Sequence, residues 1–235
     1  MVRMLTALIV LFLVACGGGS GGGAEPSPEL AALFPIAAQD SGDEFIYSIE
    51  KTHTDSSGSD VRQFMRTFFL GRAVDPTGPD LHTVSSSKDP GVGAGLMWTD
   101  RGLELIAYGS MQLAGAGGIC VTATSPGLLL VPAGFQPGDS HTCSIPGLVD
   151  ESITTWVGSE PVSGHPTAER FDMIVTGPCE SSSTFCDRFD ATSYEIMGTA
   201  YLVPGIGPVS GFVTIKTRPG PRYTPVTSQY VSPVP

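Results

Sequence analysis

The chain has 235 residues and a mass of 24.4 kDa, room for one large or two small domains. Hydrophobic residues make 41% and charged residues only 15%, with 30 glycines and 20 prolines, a composition that points to a folded, turn-rich body rather than long charge-laced helices. The net charge of −11 and the pI near 4.6 argue against nucleic acid or an anionic membrane surface as the main partner.

The N-terminus reads as an address. Arg3 precedes an apolar run from Leu5 to Ala15, too short for a membrane span, which needs roughly 20 residues. Charge, short apolar stretch and small residues are the layout of a secretory signal. The run ends in Leu13-Val14-Ala15-Cys16, which resembles the lipobox of bacterial lipoproteins. That resemblance implies loss of residues 1–15 and acylation of Cys16, which ties the chain to a membrane. Each buried methylene contributes about 0.8 kcal/mol, so two or three acyl chains make a lasting anchor. Gly17 in place of Asp after the cysteine implies, by the same resemblance, the outer membrane of a bacterial envelope. An ordinary signal with a chance cysteine is the alternative. Gly17 to Gly23 reads GGGSGGG, a flexible coil spanning roughly 15 Å. A phosphate-cradling loop would need a strand before it and a Lys-bearing helix after it. Residues 16–26 are therefore read as lipidated cysteine and linker.

Ser27-Pro28-Glu29 predicts a short helix through Phe34, with Ser27 as cap, Pro28 in the first turn and Pro35 as stop. Leu30, Leu33 and Phe34 would pack it on the body. Period-two segments follow: Phe45 to Ile49, Val61 to Leu70, Leu96 to Trp98, Leu103 to Tyr108, Ile119 to Thr124, Leu128 to Val131, Ser152 to Val157, Phe171 to Thr176, Tyr194 to Val203 and Val209 to Lys216. Thr99-Asp100-Arg101-Gly102 is a hairpin turn with glycine where positive φ is wanted. The expected fold is mainly β: a single curved antiparallel sheet, half-barrel or barrel, with one short N-terminal helix. One β domain should cover residues 27–218. The tail, residues 219–235, holds five prolines and is expected to be extended and mostly unpacked. Pro90-Gly91-Val92-Gly93 and Pro204-Gly205-Ile206-Gly207 echo each other, as do Gln39 to Asp43 and Gln136 to Asp139, by duplication or by chance.

Phe34-Pro35-Ile36 followed by Gly42-Asp43-Glu44-Phe45-Ile46-Tyr47 resembles the "FPL, gap, G-x-x-W-x-Y" opening of a loose group of bacterial envelope proteins. Tyr201 to Val209 is similar to that group's closing motif, "W-x-A-P-G-V-G-x-V-K". Phe45 replaces the group's Trp, and Ser210 stands where Lys is usual. The resemblance covers both ends of the body and little between; it implies a curved β half-barrel and transfers no catalytic residue.

Apart from Cys16, the cysteines are Cys120, Cys143, Cys179 and Cys186. An even number in an exported chain predicts two disulfides; Cys120–Cys143 and Cys179–Cys186 are favoured among three pairings. No CxxC or paired histidine supports a metal, and no cofactor is expected. His53, His82, His141 and His165 are read as loop or strand-end residues. Gly138-Asp139-Ser140-His141 lacks the context of a hydrolase nucleophile, and no G-x-S-x-G elbow occurs. Asp55 to Asp60 is read as a hairpin turn rather than a calcium loop. Asp187, Asp190 and Glu195 are expected on a solvated face. Phe64, Phe68 and Trp98, with Met65 and Phe69, either fill the core or line an apolar cavity. The function expected is a non-catalytic structural or interaction module of the envelope, with the membrane as partner through its anchor and an envelope protein or an apolar ligand as the candidate second partner. A carrier or sensor of an apolar ligand is the alternative, and an extracytoplasmic hydrolase stands third.

Overall fold

The computed structural model describes residues 27–34, 44–55, 58–73, 81–86, 89–108, 111–112, 128–147, 149–162, 164–179, 191–218 and 222–230, with side chains mainly in the first of these segments and from residue 96 onward. Among them lie one helix, α1 (Pro28–Leu33), and the strands β1 (Glu44–Asp55), β2 (Gly58–Ala73), β3 (Leu81–Ser86), β4 (Asp89–Thr99), β5 (Gly102–Tyr108), β6 (Met111–Gln112), β7 (Leu128–Pro132), β8 (Ser140–Ile145), β9 (Val149–Val162), β10 (His165–Pro178), β11 (Ser193–Val203), β12 (Gly207–Arg218) and β13 (Arg222–Tyr230). The fold is mainly β and antiparallel, as the turn-punctuated alternation predicts.

Sheet order is β6-β5-β4-β3-β2-β1-β13-β12-β11-β10-β9-β8, with β7 on β5. Read from β8 through β13 into β1 and on to β6, this is an up-and-down meander whose chain starts in the middle. Most ladders join consecutive strands; β1–β13 and β5–β7 are the two described that do not. No ladder among the described residues joins β7 to β8, so the barrel does not close. Its two ends nevertheless meet: Cys143 Sγ in β8 lies 3.1 Å from the Leu129 carbonyl oxygen in β7.

The tail departs from expectation. Residues 222–230 are extended, but they form the central strand β13, paired with β1 from Tyr47↔Tyr230 to His53↔Tyr223 and with β12 on the other side. Pro225 has no N–H to give a ladder, and the β1 register skips it, passing from Val226 to Thr224. The proline is thus placed in a bulge, where a missing donor costs little. Strands β3, β6 and β8 were not signalled by the alternation, and β4 runs back across Pro90-Gly91-Val92-Gly93. The similar Pro204 to Gly207 segment is instead the β11–β12 turn, with positive φ at Gly205 and Gly207. The two echoes therefore do different structural work. The strand expected at Ile119 to Thr124 lies outside the described residues.

The described core has one part on β4, β5, β7 and β8, where Leu96, Leu103, Leu105, Leu128 to Val131 and Ile145 are buried, and another on the inner face of β9 to β12. Cross-strand register sets Trp156 beside Phe171 and Phe171 beside Ala200. Phe171 stacks on Trp156 at 5.2 Å and meets Phe34 edge-on at 5.6 Å; each such ring pair adds roughly 0.5–1.5 kcal/mol beyond burial. Phe135, from the β7–β8 connection, completes the cluster. Helix α1 covers this face. Ser27 Oγ accepts from the Leu30 N–H at 3.2 Å, capping the first turn as predicted, and Leu30, Leu33 and Phe34 are all buried. Burying them stabilises the helix by roughly 1.5–3 kcal/mol each, which a six-residue helix needs. The Gly205 N–H donates to the Ala32 carbonyl at 2.7 Å, fixing the end of α1 to the β11–β12 turn.

Candidate functional site

Two places gather unusual side chains. The first is the seam where β5, β7 and β8 meet. Glu104 is fully buried, opposite Met97 of β4 and Leu129 of β7. Thr99 Oγ1 donates to Glu104 Oε1 at 2.7 Å, and Arg101 Nη1 stands 3.8 Å from the same oxygen. The tight β4–β5 turn creates this arrangement, because it brings Thr99 and Arg101 back over the start of β5. From β8, His141 Nε2 lies 3.0 Å from Cys143 Sγ. Burial, and then the Arg101 charge, hold the His141 pKa below its usual value, against a hydrogen bond with the Leu129 backbone. Cys143 is buried and disulfide-bonded, and Cys179 is disulfide-bonded too; Cys120 and Cys186 lie outside the described residues.

The second place is the outer face of β9 to β12. Ile153 pairs with Ile174, Ile174 with Met197 and Met197 with Thr214, so one register row carries three apolar side chains across adjacent strands. Phe212 lies one row along, opposite Thr199. Ile174 and Phe212 are each 40% exposed. Polar rows frame this patch. On one side Arg170 grips Asp172 through two hydrogen bonds of 2.9 and 2.8 Å, and Thr199 Oγ1 donates to Asp172 at 2.6 Å. Glu160 stands 3.5 Å from Arg170. The Asp172 hydrogen bond raises the Arg170 pKa, while burial and then a hydrogen bond with Glu160 raise that of Tyr201. On the other side Lys216 Nζ donates to Glu195 Oε1 at 2.7 Å, beside exposed Glu151 in the same row.

A third cluster supports the interior. Trp156 Nε1 donates to Glu169 Oε2 at 2.6 Å, and Ser159 Oγ donates to Oε1 of the same carboxyl. The indole N–H of a 1% exposed Trp is thereby satisfied.

The residues singled out in the sequence fall unevenly. Ser140 Oγ shares a 2.8 Å hydrogen bond with Thr155 Oγ1, while His141 turns to Cys143; the Gly-Asp-Ser-His run therefore splits its Ser and His. Asp139 Oδ2 accepts from the Gln136 N–H at 2.9 Å, closing a turn. The backbones of Phe64 and Phe68 lie in β2, opposite Ile49 and Phe45 of β1, and that of Trp98 lies in β4, opposite Leu103. Their side chains, and Cys16, lie outside the described residues, as do Asp187 and Asp190. Glu195 is on the outer face. Asp55 pairs with Gly58 across a tight β1–β2 hairpin. Among the described residues no three His, Cys, Asp or Glu side chains come together as a metal site. The outer row escaped the sequence reading although part of its signal was present: Ile174 and Met197 each occupy the polar-phase position of an otherwise alternating strand, whereas Ile153 lies between the buried polar residues Ser152 and Thr154.

No protein-family model matches the chain, and no curated protein matches it. Among solved structures, the chain aligns over 84% of its length with 90% of a domain assigned to an outer membrane lipoprotein-sorting protein of Vibrio parahaemolyticus, at 8% identity and a TM-score of 0.19. It aligns over 84% of its length with 88% of a LolA superfamily protein of Nitrosomonas europaea, at 10% identity and a TM-score of 0.20. Superpositions this loose carry no functional argument.

Proposed function

We propose that the chain is a lipid-anchored protein of the bacterial envelope that works as a non-catalytic interaction module. The observation that carries this reading is the contrast between the two faces of β9 to β12. The inner face is filled by Trp156, Phe171, Phe135 and the α1 residues, whereas the outer face leaves Ile174 and Phe212 in contact with solvent. An apolar row that the fold does not use is a candidate partner surface. Leu13 to Cys16 supports the anchor, and Gly17 supports the outer membrane. We further propose the pairings Cys120–Cys143 and Cys179–Cys186, supported by the disulfide-bonded state of Cys143 and Cys179; peptide mapping without reductant tests them.

A carrier of an apolar ligand is the second reading, favoured by one feature: the apolar inner face is covered by a helix of only six residues. Native mass spectrometry of the full chain from its own host separates the two. The module reading expects acyl mass on Cys16 and no non-covalent lipid. A stoichiometric lipid that dissociates on activation overturns it in favour of the carrier.

A further inference from the structure

We infer that the outer face of β9 to β12 docks a cationic amphipathic helix; this deepens the interaction-module reading and rests on it. Adjacent strands are about 4.8 Å apart, so the row Ile153, Ile174, Met197 and Thr214 runs roughly 15 Å across the strands. A helix repeats its apolar stripe about every 5.4 Å, so about three turns laid along the row place one apolar side chain near each strand. Charge selects the occupant. The two adjacent rows hold three carboxyl groups, Glu151, Asp172 and Glu195, against one cation, Lys216; beyond them stand Glu160 and Arg170 on one side and exposed Arg218 on the other, four carboxyl groups against three cations in all. Two of these cations are engaged within the face, Arg170 with Asp172 and Glu160, Lys216 with Glu195. The face is net acidic on a chain of charge −11. A second copy and an anionic bilayer are both repelled, while a helix with Lys or Arg beside its apolar stripe is attracted.

The test uses the full chain and a synthetic Leu/Lys peptide of about 14 residues, its leucines at helical spacing, with a scrambled peptide of the same composition as control. The patterned peptide should bind at least about tenfold tighter than the scrambled one and weaken as salt rises. The double variant Ile174→Thr, Met197→Thr should lose that margin. Ile206→Thr, an equally exposed residue on the β11–β12 turn, should keep it. If the double variant unfolds, Phe212→Thr alone makes the same comparison. Equal binding of both peptides, insensitivity to salt, or an unaffected row variant overturns the inference. Self-association abolished by the row variant overturns the helical occupant and leaves the module reading standing. A bound lipid in the native mass spectrum overturns that reading itself.

Discussion

Gly102 shows how a single residue closes the two ends of the meander on each other. Its φ is +140°, and a Cβ there would overlap the Val131 carbonyl oxygen and come within 2.8 Å of the Ala133 nitrogen. Strand β7 can lie on β5 only because no side chain intervenes. Gly164 also has positive φ but open space around it. Gly102→Ala should therefore cost about 2–4 kcal/mol, and Gly164→Ala only about 1 kcal/mol, measured by urea unfolding of both variants. His141 sits at the same seam, and its lowered pKa makes stability depend on acid. The native protein holds the imidazole neutral, so the unfolded chain takes up the proton first. The stabilisation is intact above pH 6.5 and is lost as pH falls from there through the lowered native value. The urea midpoint of the protein should fall over that window, and His141→Gln should flatten the fall. A midpoint equally steep in the variant assigns the effect to other groups.

At the scale of elements, α1 is the best case of local legibility. Ser27, Pro28 and Pro35 are chemical stops and starts, so the helix could be read to within a residue. Ser27→Ala should cost about 1 kcal/mol, and Phe34→Ala about 3–5 kcal/mol because it removes the edge contact to Phe171 as well as buried area. Thermal unfolding of the two variants checks the order; equal losses would mean that the cap, not the packing, holds α1. Strands with one buried face were legible for a related reason: in β11, Tyr194, Ile196 and Leu202 are buried while Glu195, Met197 and Tyr201 between them are not fully so. The missed strands lack that contrast. In β8, only Cys143 and Ile145 are buried, so most of Ser140 to Ile145 reads as a polar loop. In β13, Pro225 advertises a break that the bulge absorbs. The outer row was hidden by the same rule that revealed the strands, since alternation finds a buried face and says little about an apolar residue on the other side. Which rows align depends on register, and register is set by the bulges at Val157 and near Val209, which no local pattern displays.

The whole molecule depends on its C-terminal end more than composition suggests. In an up-and-down meander begun at its middle, hairpins form from near neighbours, but the β1–β13 ladder joins residues at opposite ends of the chain. Such a contact is made late, after long loop closure. Until it forms, β1 and β12 each present an open edge, a template for association with other chains. A chain ending at residue 218 should therefore lose cooperative unfolding and aggregate, where an unpacked tail would have been dispensable. What β13 supplies is backbone pairing on both sides, so a separate peptide of residues 219–235 should restore a soluble, cooperatively unfolding complex when added during refolding. Its Pro225→Val form should bind less well if the bulge is required for register, because the added donor favours an unbulged ladder. A truncated chain that stays monomeric and unfolds at the full-length midpoint would remove β13 from the central position and divide the sheet into two independent halves.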